Sequence, residues 1–391
     1  MSLHPTVWAT ASTHFVVDAY GNMFAPLLPL LIPQLNLSLK TVGVLAMCFQ
    51  IASSVSQLGF GTLADRWRPR VLLMGGPVLS VVVLSGLGMS TSTVMLGALL
   101  LVGGLGGAAF HPPAAALVHA VAGERKGLAM STHITGGSLG FSLAPLVFAP
   151  AVLLLGPSWS WLVAVPGLLA LSYTLRLVRR VEIPRKHAKE GWSHLRPYAK
   201  PLSLLYIIVV LRTLTASSLS VFLPVLLTRQ GMGVGEASAA VSTYLFISTI
   251  GGFLGGPLAD RHGARRVIIW SLVTSVPFLL AGQLTTGWSL TVLVSIGGFL
   301  LQSTLPVNVT FGQQVAPVSA ATVSSLMMGF AWGVGSLLAP IVGIAGDTLG
   351  LGVALSITSA VPLVAALFAL PLPRQVPAQP HAAPAPLTPE P

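Results

Sequence analysis

From Arg266 to Asp347 the chain runs through 80 consecutive residues without one Lys, Arg, Asp or Glu. A helix crossing the hydrocarbon core of a bilayer needs about 20 mostly apolar residues, so this run alone is long enough for three crossings. Four further uncharged runs behave likewise. Lys40 to Asp65 encloses 24 residues, Arg70 to Glu124 encloses 53, Lys126 to Arg176 encloses 49 and Glu236 to Asp260 encloses 23. They hold one, two, two and one spans. Residues 6–34, 201–228 and 348–371 add one span each, the first two with an interior charge, which makes twelve. Only 7% of the residues are charged, against about a quarter in soluble domains, too few to cover a water-facing surface. The chain is predicted to be an all-α membrane protein of twelve transmembrane helices.

The net charge of +11 does not indicate a nucleic-acid partner, because its placement follows the membrane. With the N-terminus inside, 17 of the 20 Lys and Arg residues fall in cytoplasmic loops and the tail, among them Arg66, Arg68, Arg70, Arg176, Arg261 and Arg265. Only Lys40 and Arg229 fall outside, and Arg212 lies within a span. This is a positive-inside pattern, and it predicts a multi-pass membrane protein with both termini in the cytoplasm. The apolar start runs directly into a full-length span without a basic flank, unlike a cleavable signal peptide. The single cysteine, Cys48, excludes an intramolecular disulfide.

An internal repeat divides the chain. GTLADRWRPR (61–70) and GPLADRHGAR (256–265) match at an offset of 195 residues, and the same offset pairs GFSLAP (140–145) with GSLLAP (335–340). It also aligns Pro29 with Pro224 and Ser53 with Ser248. Two pseudo-symmetric six-helix bundles are therefore expected at 1–175 and 201–371, joined by a charged cytoplasmic linker at 176–200 and followed by a disordered Pro-rich tail at 372–391. Two six-span halves in parallel repeat are an arrangement used for alternating access, with the substrate at their interface near the midplane.

The duplicated Gly-x-Leu-Ala-Asp-Arg loop resembles the best-known signature of the major facilitator superfamily, over nearly the whole chain. That resemblance implies a gating role for Asp65, Arg66, Arg70, Asp260, Arg261 and Arg265, whose charge contacts would break and re-form during transport. It also implies that Gly61 and Gly256 let helices approach closely there, and that the protein works as a monomer. In span five, Gly127, Gly136 and Gly140, followed by Ala144-Pro145, resemble the antiporter motif of drug-efflux branches, with Phe141 where that motif has proline. Small residues at helical spacing also serve plain helix packing, and both readings stand.

Ionisable groups inside a bilayer are costly and by default mark functional sites. Asp18 lies in span one with His14 four residues before it on the same helical face, and Asn22 continues that face. Arg212 lies in span seven, the repeat equivalent of span one, one position from the residue opposite Asp18. An Asp18–Arg212 pair across the axis would ease the desolvation of both charges. Substrate competing for Arg212 would then favour protonation of Asp18, and a static ion pair is the alternative. In span four, His111 directly precedes Pro112-Pro113, which is expected to distort the helix. In span ten, Gln302, Thr304 and Asn308 either contact substrate or hydrogen-bond between helices.

His-x3-Asp in span one, Phe110-His111-Pro112 in span four and MMGFAWGVGS in span eleven resemble the fosmidomycin-resistance branch of bacterial drug exporters. The resemblance implies proton-coupled export of small, mostly anionic compounds, with His14, Asp18, His111 and Arg212 coupling protons. Arg212, Asn22, His111, Gln302, Thr304 and Asn308 would then face the substrate. Gly136, Gly140 and Pro145 would form the antiporter-like element. A guanidinium clamps a carboxylate or phosphonate bidentately, which suits Arg212 to an anion. No P-loop or H-E-x-x-H motif is present, and the histidines do not share the spacing of a metal site, so neither an enzyme, a metal nor a cofactor is expected. The proton gradient is the expected energy source. A metabolite permease, by symport or facilitation, and a transporter-like sensor are the other readings.

Overall fold

The computed structural model describes residues 3–66, 69–123, 125–178, 192–316, 323 and 325–373, without the side chains of Asp65, Arg66, Lys126, Leu175, Trp192, Ser193, His194, Ser325 and Met328. Most of the expected linker (179–191), the Pro-rich end beyond residue 373 and the side chains of two expected gating residues, Asp65 and Arg66, thus lie outside the described residues. Twelve helices are long and apolar enough to cross a membrane. They are α1 (Pro5–Leu35), α2 (Leu39–Ala64), α3 (Pro69–Met89), α4 (Thr93–Val121), α5 (Leu128–Leu155), α6 (Pro157–Val178), α7 (Leu195–Arg229), α8 (Val234–His262), α9 (Ala264–Gln283), α10 (Gly287–Val315), α11 (Ala331–Leu349) and α12 (Leu351–Ala369). All twelve coincide with the spans read from the uncharged runs.

Inside a bilayer every backbone polar group must find a partner within the protein, and proline, lacking an N–H, leaves the carbonyl four residues before it without one. This chain fills such gaps with side chains from neighbouring helices. Pro145 frees the carbonyl of Phe141, and Asn22 Nδ2 of α1 donates to it at 2.7 Å. Pro362 frees the carbonyl of Thr358, and the Thr215 hydroxyl of α7 donates to it at 2.7 Å. In the other half, the Tyr20 hydroxyl donates to Val163 O and accepts from Gly167 N at 3.1 Å. Tyr20 and Thr215, and likewise Val163 and Thr358, stand 195 residues apart. The offset read from the sequence therefore relates contacts as well as residue types.

Close helix approaches follow the same symmetry. A Cβ on Gly140 would strike the carbonyl of Phe15, and one on Gly335 would lie 2.7 Å from that of Val210, again 195 residues on. Gly136 faces the carbonyl of Ala11 in the same way, so Gly136 and Gly140 seat α5 against α1. Gly61 and Gly256 do not behave as expected: a Cβ on Gly61 would reach only Pro112 at 4.0 Å, and one on Gly256 would meet nothing within 4 Å. The helices are splayed apart at that end of the bundle.

The opposite end is shut. Asp347 at the end of α11 accepts from the backbone N–H of Leu39 (2.9 Å) and Lys40 (2.8 Å) at the start of α2. Gly43 of α2 and Gly343 of α11 press on the facing backbone. Between α5 and α8, Ser242 Oγ accepts from Leu146 N at 3.2 Å. By contrast Gln57–Arg66, the far end of α2, packs on α3 and α4 of its own half. Closure at one end and separation at the other is one of the two states that alternating access requires.

Several spans depart from regular helix. α1 breaks between Gly21 and Phe24, and α10 breaks at Ser303. α2 carries a π-helical segment at Ile51–Val55, and another at Ser325–Phe330 leads into α11. α4, expected to break, runs through Pro112-Pro113 as one 29-residue helix.

Candidate functional site

α1, α4 and α5 bring four ionisable groups together in the first half. His14 and Asp18 are one turn apart on α1, and their Nε2 and Oδ2 atoms lie 3.1 Å apart. His111 of α4 approaches the other carboxylate oxygen at 3.7 Å. His14 Nδ1 is 2.9 Å from the carbonyl of His133 on α5, and the two imidazole rings lie 4.4 Å apart. Phe110 flanks His14, His111 and His133. The side chains of Asp18 and His111 keep 26% and 25% of their surface accessible, and that of His14 12%. The group is held inside the bundle yet remains reachable.

These contacts fix how protons are shared. A carbonyl only accepts, so His14 Nδ1 must carry the hydrogen directed at His133 O. In the neutral imidazole Nε2 is then a bare acceptor, facing a carboxylate oxygen, itself an acceptor, at 3.1 Å. Two acceptors at that distance repel unless a cation lies between them. Either Nε2 or Asp18 must hold an additional proton, or another cation must take its place. Gly137 of α5 lies against this contact: a Cβ there would collide with both His14 Nε2 and Asp18 Oδ2.

The second half holds a different polar group. Arg212, midway along α7, is wholly buried. Its Nη2 donates to Gln302 Oε1 at the break in α10, while Nε and Nη1 have no hydrogen-bond partner among the described residues. Tyr244 of α8 lies within electrostatic reach. Both amide atoms of Asn308 and the indole N–H of Trp332 are also buried without partners. A buried charge stripped of its counter-ion costs several kcal/mol. The ion pairs among the described residues do not include Arg212.

Several expectations change. Asp18 is paired with His14 and His111, and Arg212 with Gln302, so the expected Asp18–Arg212 pair is not formed. The repeat equivalent of Asp18 is Thr213, which faces α11 beside Gly335. One residue away, Arg212 is turned by about 100° around the helix, toward α8 and α10. Asn22, expected at the substrate, has its amide on the Phe141 carbonyl and is buried. Thr304 is buried and donates to its own helix at Leu301 O, 2.8 Å. The expectation that the histidines cannot share a metal site also changes: His14, Asp18 and His111 place three ligand atoms within 4.8 Å of one another.

At the splayed end, Asp260 and Arg261 are exposed and form no ion pair among the described residues. Arg265 caps the end of α12, donating from Nε to Ala369 O at 3.3 Å and from Nη2 to Leu370 O. His133, Gly137, Tyr244 and Trp332 were not singled out from the sequence. The signal for the first two was present, since His133 and Gly137 are four residues apart and so share a helical face.

A family model described as Major Facilitator Superfamily matches residues 10–233 and 205–390. The chain is 28% identical to the fosmidomycin resistance protein of Escherichia coli (strain K12), over 92% of this chain and 90% of that one. It is 27% identical to an uncharacterized MFS-type transporter, YfnC, of Bacillus subtilis (strain 168), over 90% and 88% of the two chains. With a probable 4-methylmuconolactone transporter of Cupriavidus pinatubonensis (strain JMP 134 / LMG 1197) the identity is 27%, over 89% and 83%. Among solved structures, a bacterial homologue of the human lysosomal transporter Spinster, inward-facing and unoccupied, superposes with a TM-score of 0.79 at 16% identity, covering 93% of this chain and 95% of that one. The nucleoside transporter NupG gives 0.76 at 15% identity, covering 94% and 99%. These relatives and this fold are those of membrane transporters, not of enzymes. With twelve spans and a family match along both halves, the chain is a multi-pass membrane protein that belongs to the Major Facilitator Superfamily.

Proposed function

We propose that the protein is a proton-coupled secondary transporter of small organic anions, working by alternating access as an exporter. The observation that carries this reading is the His14–Asp18–His111 cluster, whose closest contact is relieved by one shared proton. Arg212 supports an anionic cargo: it is a wholly buried cation with no counter-ion and with Nε and Nη1 unpartnered among the described residues, and an anion reaching either donor would supply the missing charge. Efflux by antiport, and a part in antibiotic resistance, are supported by the similarity to the fosmidomycin resistance protein. The skewed Lys and Arg distribution supports a bacterial inner membrane with the splayed end and both termini in the cytoplasm. We take the working unit to be a monomer and the energy source to be the proton gradient, with no further cofactor.

A second reading, anion–proton symport in a metabolite permease, is favoured by electrostatics. Without its proton the cluster carries one net negative charge and repels an anion, whereas with the proton it is neutral, so the two ligands load together more readily than in exchange. The similarity to a probable 4-methylmuconolactone transporter fits a metabolite cargo.

Accumulation of radiolabelled fosmidomycin separates the readings in cells lacking their own exporter for it. Expression of this chain is expected to lower accumulation, and a protonophore to restore it. Raised accumulation would overturn the export reading in favour of symport. Accumulation unchanged by expression, for fosmidomycin and for a panel of carboxylates and phosphonates, would overturn the anion reading.

A further inference from the structure

We infer that His14, Asp18 and His111 form a binding site for a divalent transition-metal ion of the zinc type. Their ligand atoms are two imidazole nitrogens and one carboxylate oxygen, a donor set that suits zinc, cobalt, nickel and copper and not magnesium or calcium, which take oxygen ligands. Bonds of about 2.1 Å place neighbouring ligands about 3.4 Å apart. His14 and His111 approach separate carboxylate oxygens of Asp18 at 3.1 and 3.7 Å, and the three ligand atoms lie within 4.8 Å of one another, so an ion would draw them together by about 1 Å.

The hydrogen bonding of His14 also points to a ligand. A histidine that binds a metal through one nitrogen characteristically donates its other N–H to a backbone carbonyl or carboxylate, which fixes the tautomer. His14 does so, with Nδ1 directed at His133 O at 2.9 Å and Nε2 left facing Asp18. Gly137 of α5 packs directly against Nε2 and Oδ2, and any Cβ there would displace both. The partial accessibility of Asp18 and His111 supplies an entry path, and a tetrahedral ion with three protein ligands keeps a fourth position open. The metal would occupy the place between Nε2 and the carboxylate that a shared proton otherwise takes. The inference rests on this geometry alone and not on the direction or cargo proposed above.

The test uses the full chain in lipid nanodiscs, purified through a tag without histidines and stripped with chelator. Titration with Zn²⁺ by calorimetry, and with Co²⁺ by visible absorption, reads affinity and coordination separately. One saturable site per chain is expected, with the intense visible bands of tetrahedral Co²⁺. His14→Gln, Asp18→Asn and His111→Gln are each expected to weaken it by more than the roughly 10–100-fold that loss of an outer-shell partner costs. His119→Gln, outside the cluster, is expected to leave it intact. Gly137→Ala keeps all three ligands but pushes Nε2 and Oδ2 from their positions, so it is expected to weaken binding even where a ligand variant does not fold. The inference is overturned if the wild type shows no saturable site, or if affinity and the Co²⁺ bands survive the ligand variants and Gly137→Ala alike, which would assign binding to other histidines.

Discussion

Asn22 shows how far a residue's meaning depends on what is packed against it. By spacing it continues the face of His14 and Asp18, and it reads as a ligand for substrate. Its amide instead closes a gap that Pro145 opens in α5, by donating to the Phe141 carbonyl at 2.7 Å. A carbonyl left unsatisfied and buried costs about 1–3 kcal/mol, so Asn22→Ala is expected to destabilise the protein by about that amount. Restoring the backbone N–H with Pro145→Ala should remove most of the penalty, and thermal unfolding of the single and double variants measures it. Additive effects would show that Asn22 acts elsewhere. His14 and Asp18 were legible because a pairing four residues apart is a property of one helix. The reach of His111 to the same carboxylate, the stacking of His133 and the partner of Arg212 were not, because each depends on the rotation of a second helix. For Arg212 the error was one residue in register, enough to turn the side chain away from Asp18.

At the scale of helices, the shut end includes cross-half contacts of different kinds. Between α2 and α11 the glycine seams are steric, and Asp347 adds a charged cap to the two leading N–H groups of α2. Opening that end must break the cap, and losing a helix cap costs about 1 kcal/mol. Asp347→Ala should therefore shift the protein toward the state open at this end by about fivefold. Maleimide labelling of Val42→Cys, buried in that seam, reads the shift in a Cys48→Ser background. Labelling no faster than in the Asp347 parent would show that the cap does not hold the end shut. The α1–α5 seam is expected to be less forgiving. A Cβ on Gly140 meets backbone, and overpacking costs about 1–3 kcal/mol, so Gly140→Ala should lower thermal stability while Gly256→Ala, with open space around it, should not. Equal losses would contradict the splayed geometry at Gly256.

Across the whole molecule, twelve spans and two halves were legible before any coordinates, because uncharged length and loop charge are direct consequences of the bilayer. The repeat carried further than its motifs, down to the matching bonds Tyr20–Val163 and Thr215–Thr358. The charge pattern that breaks the repeat is where the halves diverge: a His–Asp cluster on one side and a buried Arg212 on the other. In the proposed function, that asymmetry assigns the proton to one half and the anion to the other. Its most direct test is proton movement in inverted membrane vesicles with an acidified lumen, challenged with fosmidomycin and related anions. Alkalinisation of the lumen, absent in Asp18→Asn although that variant folds and inserts, is the expected result. Wild-type alkalinisation that persists undiminished in Asp18→Asn would contradict the proton-sharing role of the cluster.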